Sequence, residues 1–289
     1  MSVNRTMSNF HKSVLLKETI DGLRVEKNKK YIDATLGGGG HSFEILRLGG
    51  EALGIDVDKE AIEHIEKNKK PENLTIARGN FRDIDKIARS NNFDKVAGII
   101  FDLGVSSHQI DSVERGFSFQ NEGPLDMRMD QELGVRALDL IKVLTKRELY
   151  EIFTKFGEES RAWAVSQAIV SARSIKPIET TKDLAKIVFN IAGQSKRIFQ
   201  ALRIIVNDEL NSIMQALPKA LELLEKNGRL CVISFHSLED RIVKRKFIEF
   251  EEKDMGKIIT EKPIVPSIEE SKVNKRAKSA RLRIFEKLI

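Results

Sequence analysis

The sequence predicts an α/β protein in which a largely parallel sheet, covered by helices on both faces, is interrupted by an all-helical subdomain. Three observations predict it. Short strands that are apolar nearly throughout alternate with helices over the first hundred residues, the pattern of a sheet buried on both sides. From about Val105 to Lys196 that rhythm stops and only helical periods are found. It resumes with the apolar run Leu230–Ser234. The expected division is 1–106 for the first part of the α/β core and 107–197 for the helical insert. Residues 198–289 form the second part of the core and end in a basic segment.

Each element has a local reason. Lys30–Ala34 is a strand entering the glycine run Gly37–Gly40, and His41–Leu48 is a helix stopped by Gly49-Gly50. Ala52–Asp56 is the second strand, followed by the charged helix Lys59–Lys69 with Asp58 as its N-cap, and by a break at Pro71. Leu74–Ala77 is the third strand, Asp83–Arg89 a short helix, and Val96–Asp102 a strongly apolar fourth strand. A loop rich in Gly and Asp, from Asp111 to Gly134, leads into helical periods at Ala137–Leu144, Lys146–Phe156, Arg161–Ser174 and Thr181–Ala192. Thr145 and Thr180 are expected N-caps, and the single tryptophan, Trp163, is expected as a core anchor of this block.

The α/β rhythm returns with an amphipathic helix over Phe199–Leu217, and Pro218 starts or kinks a second segment ending at Asn227-Gly228. Leu230–Ser234 is the fifth strand. The helix Leu238–Phe250 follows, opened by a capping box of Ser237 and Asp240. Lys257–Thr260 and Leu282–Phe285 read as edge strands, and the polar stretch Lys262–Ser279 between them as mobile.

Composition bounds the function. The chain has 289 residues, enough for about two domains, and its charged fraction of 32% comes with an ordinary apolar share, so a core forms. One cysteine excludes an internal disulfide or a thiolate metal cage, and Cys231 in an apolar run reads as a buried, inert thiol. The histidines are too scattered for a zinc site, so no metal is expected. The N-terminus lacks the apolar region of a signal peptide, and no apolar run approaches the ~18 residues needed to cross a bilayer. A soluble cytoplasmic protein without a membrane partner is expected. The net charge of +6 is carried entirely by the last eighteen residues, where Lys272, Lys275, Arg276, Lys278, Arg281, Arg283 and Lys287 face a single Glu286. Such a cluster suits either a polyanion or a solvated tail.

The residues that carry chemistry stand at strand ends. The glycine run before His41 lets backbone approach a ligand at a helix N-terminus, but it fails the dinucleotide G-x-G-x-x-G template in both registers. Asp56 ends the second strand, where a carboxylate accepts both hydroxyls of an adenosine ribose. In Gly79-Asn80-Phe81 the ring is placed to meet an adenine or to serve as ordinary core. Asp102 ends the fourth strand, beside the first, at the crevice where ligands bind in open α/β sheets. Ser106, Ser107 and Gln109 follow with hydrogen-bonding groups. His236, after the fifth strand, faces the same edge; with no G-x-S-x-G elbow a serine hydrolase is disfavoured.

Assembled, these segments closely resemble the MraW family over nearly the whole chain. The matching stretches include His11–Leu16, Gly39–His41, Asp102–Ser107, Arg115–Phe119, Gly123–Met129, Phe199–Arg203, Ser234–Arg241 and Arg276–Arg283. The resemblance implies a class I, Rossmann-like methyltransferase with a mostly parallel seven-stranded sheet and an inserted helical substrate-recognition domain. It implies transfer of a methyl group from S-adenosyl-L-methionine to the exocyclic N4 of a cytidine in bacterial small-subunit ribosomal RNA, as free RNA or assembled subunit. The family's cofactor contacts carry over to Gly39, Gly40, His41, Asp56, Phe81, Asp102 and Gln109. Gly38 and His108 depart from common family residues.

Asp102 and His236 are the catalytic candidates, and Phe117, Phe119 and Phe235 the candidates to stack on the target base. Arg241, Lys244, Arg245, Arg276, Lys278, Arg281 and Arg283 are the expected phosphate contacts. A non-catalytic ribosome-assembly protein on the same fold and a nicotinamide-dependent oxidoreductase are the alternatives. Both a monomer and a homodimer fit the sequence.

Overall fold

The computed structural model describes residues 13–68 and 70–289, so His11 and Lys12 of the first family motif and Lys69 of the third expected helix lie outside the described residues. The chain divides into two units. The first runs through Gly104 and resumes at Leu210; the second is Val105–Glu209.

In chain order the first unit begins with α1 (Leu16–Leu23), β1 (Lys30–Asp33), α2 (Gly40–Arg47), β2 (Glu51–Asp56), α3 (Lys59–Lys67), β3 (Leu74–Arg78), α4 (Ile84–Ser90) and β4 (Val96–Asp102). The second unit holds α5 (Ser107–Asp111), α6 (Ala137–Val143), α7 (Lys146–Lys155), α8 (Ala162–Ile175), α9 (Thr181–Ala192) and α10 (Lys196–Asn207). The chain continues through α11 (Glu209–Leu223), β5 (Leu224–Ser234), α12 (Ser237–Glu252), β6 (Gly256–Ile258), α13 (Ile268–Val273) and β7 (Arg281–Lys287).

The sheet has seven strands in the order β3-β2-β1-β4-β5-β7-β6, and β7 alone runs antiparallel to its neighbours. Successive residues of a strand point to opposite faces, and here both faces are apolar. Ile32, Ile99 and Val232 enter one cluster with residues of α4, α11 and α12, while Tyr31, Ile100, Cys231 and Ile233 enter another with residues of α1, α2 and α3. Cys231 is fully buried, and loss of solvent pushes its thiol up to about 12, an inert group as expected. The chain leaves β1 toward β2 on one side and returns to β4 on the other. The carboxyl ends of β1 and β4 therefore flank the crevice.

Three expectations in this unit are corrected. Leu282–Phe285 is not an edge strand: it lies in β7, between β5 and β6, and alternates Leu282 and Ile284 toward one cluster with Phe285 toward the other. The stretch Lys262–Ser279 is folded despite its polarity. Ile264 pairs with Leu282, Ser267 caps α13, and Glu270 Oε1 accepts the Leu15 N–H at 2.8 Å. Asn227-Gly228 does not end a helix. Pro218 lies inside α11, which stops at Leu223, and Asn227 sits at φ 64° where the β4–β5 register slips. The helix α1 was not anticipated at all.

The helical unit packs its own core from Leu149, Phe153, Val165, Ile169, Leu184, Val188, Phe199 and Leu202. Thr145 and Thr180 cap α7 and α9, each in a capping box, as expected. The expected helix Phe199–Leu217 is two helices, because Asp208 turns left-handed at φ 50°. Asn207 explains the stop. Its Nδ2 donates to the Met127 carbonyl at 2.8 Å and its Oδ1 accepts the Met129 N–H at 2.7 Å, tying the chain to the loop before α6. The unit consequently ends at Glu209, beyond the expected 197. Buried Arg115 pins the same loop through the carbonyls of Arg128 (3.1 Å) and Met129 (2.8 Å). Trp163 is not the core anchor expected of it; the ring is 54% exposed.

Candidate active site

The site is built at the carboxyl edge of β1, β2 and β4. Asp33, the last residue of β1, is buried and accepts the Ser42 hydroxyl at 2.8 Å, while desolvation raises its pKa. The chain then turns through Thr35 and the glycine run into α2. Gly37 and Gly39 adopt φ 47° and 76°, and a Cβ on Gly40 would fall 2.0 Å from Ser13 Oγ, so the turn favours glycine and a side chain at Gly40 would have to displace Ser13. Asp56, at the end of β2, accepts the N–H groups of Gly37 (2.8 Å) and Asp58 (2.9 Å). Desolvation outweighs those hydrogen bonds and pushes its carboxyl up to about 6. Asp58 caps α3 as expected, its side chain accepting the Glu60 N–H at 3.1 Å.

Asp102 ends β4. Its N–H donates to Thr35 Oγ1 at 2.7 Å, which locks the ends of β4 and β1 together. The side chain is 13% exposed, and Oδ1 is buried with no hydrogen-bond partner among the described residues. Desolvation, followed by the charges of Asp33 and Glu239, raises its pKa well above the usual carboxylate range. Among the described residues the basic group paired with it is His41 in the first turn of α2, with Nδ1 3.9 Å from Asp102 Oδ2. Burial pushes that imidazole down to about 4, so it is neutral at physiological pH. Among the described residues, no lysine or arginine pairs with Asp33, Asp56 or Asp102.

Beside Asp102, the Leu103 N–H donates to the Ile233 carbonyl at 3.0 Å, and the Phe235 ring lies against Gly104. His236 caps α12, and its partner in the capping box is Glu239. The expected box of Ser237 and Asp240 is thus shifted by one residue. The Glu239 carboxylate accepts the N–H groups of Phe235 (2.7 Å) and His236 (3.2 Å) and fixes the turn that presents both. Phe81 packs edge-on against Phe101 with ring centroids 5.6 Å apart, half-buried at the rim of the core.

Gln109 belongs to the helical unit, where its Oε1 accepts the Ser106 N–H at 3.0 Å and closes the cap of α5. Arg241, Lys244, Arg245, Lys278 and Arg281 are exposed, and Arg276 is half-buried. Arg283 is buried: its Nε and Nη2 donate to the two oxygens of Asp240 at 2.6 and 3.2 Å. It holds the fold rather than a phosphate. Thr35, Asp33 and Glu239 were missed as site residues. Asp33 carried the same signal as Asp56 and Asp102, a carboxylate ending an apolar strand.

The MraW methylase family model matches residues 8–288. The chain belongs to the MraW methylase family. Among curated relatives, the ribosomal RNA small subunit methyltransferase H of Clostridium botulinum (strain Loch Maree / Type A3) is 44% identical, with 96% of this chain and 99% of that protein covered. The protein of the same name from Coprothermobacter proteolyticus is 42% identical, with 97% and 98% covered. The fold is also that of NSun6 from Pyrococcus horikoshii, solved with SFG. That match has TM-score 0.50 and 12% identity, and covers all of this chain and 56% of that one.

The methyl donor of MraW methylases is S-adenosylmethionine, and this edge fits it. Among the described residues, these three desolvated carboxylates have no paired lysine or arginine, which suits a ligand carrying a cationic sulfonium. No helix of the described residues is long and apolar enough to cross a membrane.

Proposed function

We propose that the chain methylates the exocyclic N4 of a cytidine in small-subunit ribosomal RNA, in the cytoplasm. The Asp102 carboxylate carries the reading: it is buried at the strand end beside the glycine loop, with Oδ1 making no hydrogen bond to the described residues. The bound cofactor supplies an electrophilic methyl group on a cationic sulfur. Asp56 is positioned to accept ribose hydroxyls, the Gly39–Gly40 backbone to pass close to the cofactor, and Phe81 to lie beside its adenine.

The cytosine amino nitrogen is a poor nucleophile because its lone pair is delocalised into the ring. An acceptor that takes its N–H bonds turns that lone pair toward the methyl carbon. Asp102 Oδ1 is that acceptor, and its raised pKa suits it to the proton shed after transfer. His236 is the weaker candidate, since its Nδ1 already accepts the Glu239 N–H as the cap of α12. The base must leave its stack to reach the edge. Phe235, lying against Gly104, is the aromatic side chain beside Asp102, whereas Phe119 packs edge-on against Phe199 and Phe117 against the helical core. The exposed Arg241, Lys244, Arg245 and Lys278 supply phosphate contacts, and Arg276 a half-buried one, while Arg281 is engaged with Asp240 at 3.1 Å.

The test is methyl transfer from labelled S-adenosylmethionine to small subunits, and to their free RNA, taken from cells lacking the enzyme. Nucleoside mass spectrometry then locates the methyl group. N4-methylcytidine at one position is expected; methyl on another atom, or none, overturns the reading.

A further inference from the structure

The helical unit presents a face that no role above uses. Trp163, the only tryptophan of the chain, is 54% exposed on α8. The ring is nonetheless held in place: Tyr150 of α7 packs edge-on at 5.4 Å, and Lys146 Nζ sits 3.7 Å above its centroid. Lys146 and Tyr150 are one helical turn apart and share a face of α7. Along α8, Gln167 and Ser171 follow Trp163 at four-residue spacing, both exposed, with Gln167 Nε2 donating to Ser171 Oγ at 3.0 Å.

The charge on these two helices is net positive. Helix α8 contains no acidic residue. On α7 the carboxylates are engaged locally, Glu148 with Thr145 in the helix cap and Glu151 with Arg147 at 3.1 Å. An aliphatic protein surface would find a cation, an amide and a hydroxyl here rather than apolar neighbours. A flat π-system carrying a phosphate finds an aromatic ring held by its neighbours, a lysine ammonium over that ring which a phosphate can draw aside, and a side-chain amide one turn along α8. We propose that this face of α7 and α8 binds an unpaired stretch of RNA, with Lys146 drawn off the Trp163 ring to a phosphate and one base stacked on the ring in its place. The proposal deepens the RNA-methylating reading by giving the substrate a single-stranded segment outside the reacting cytidine.

Because Trp163 is the sole tryptophan, its fluorescence reports on this face alone. The full-length protein is titrated with a mixed-sequence single-stranded oligoribonucleotide of about ten nucleotides. Saturable quenching is expected, with none from duplex RNA of equal length. By anisotropy of labelled RNA, Trp163→Ala should weaken binding about fivefold or more, Trp163→Phe should retain most of it, and Lys146→Glu should weaken it and flatten its salt dependence. Calorimetric affinity for S-adenosylmethionine should not change in any variant. Wild-type RNA affinity in Trp163→Ala, or unchanged fluorescence at saturation, overturns the proposal. So does loss of methylation of assembled subunits with oligonucleotide binding intact, which assigns the face to a protein. If quenching occurs while the wild-type protein transfers no methyl group, the proposed reaction fails and the RNA face stands.

Discussion

Two carboxylates of the α/β unit, Asp102 at the end of β4 and Asp240 in the first turn of α12, are almost equally buried, 13% and 11% exposed as side chains. They titrate in opposite directions. Burial would raise Asp240 too, but Arg283 and Arg281 at 2.6 and 3.1 Å hold its pKa below the usual range. Among the described residues Asp102 has no such partner; burial raises it, and its neighbours Asp33 and Glu239 raise it further. Burial alone therefore does not separate structure from function. The partner does: a buried carboxylate satisfied by guanidinium groups supports the fold, and one left unsatisfied at a strand end awaits a ligand.

Substitution should sharpen this contrast. Asp240→Ala leaves buried Arg283 uncompensated, and chemical denaturation should show a loss of about 3 kcal/mol. Turnover per folded molecule should be retained. Stability equal to wild type would mean that the Arg283 pair contributes nothing and that the distinction drawn above is false.

His41 extends the comparison to a base. Its folded pKa of about 4 lies below the unfolded value of 6.5, so the unfolded chain binds more protons between those limits. Stability from this group is complete above pH 6.5 and is lost as pH falls toward 4, by up to about 3 kcal/mol. His41→Gln should flatten the denaturation profile in that window. An unchanged slope would show that the imidazole is not the group responsible.

The smallest effect concerns Asp56. Its carboxyl, pushed up to about 6, is protonated in the free protein below that pH. Affinity for S-adenosylmethionine, measured by calorimetry, should fall roughly tenfold per pH unit below 6. Asp56→Asn should weaken binding at pH 7.5 and remove the slope; a slope that persists in the variant would place the proton elsewhere.

The sheet was legible because strands buried on both faces write continuous apolar runs, and Asp56 and Asp102 stood out as the charges that end them. What escaped was decided by tertiary contact. Arg283 reads as one more basic residue of a tail until β7 is seen inserted between β5 and β6, opposite Asp240. Trp163 reads as core because its size favours burial, and only the packing of α7 against α8 leaves it outside. The break at Asp208 could not be read from a stripe that continues across it, since a hydrogen bond from Asn207 to a loop eighty residues earlier causes it. His236 rather than Ser237 caps α12 because Glu239, not Asp240, turns back toward the strand end.

The central claim is that Asp102 is kept unsatisfied for chemistry. Its most direct test is Asp102→Asn, with single-turnover methyl transfer to small-subunit RNA and thermal unfolding measured on the same preparation. Methyl transfer should fall by about a hundredfold or more, while the unfolding temperature holds or rises because a desolvated charge has gone. Turnover within a few-fold of wild type, or a protein that loses stability along with activity, would contradict it.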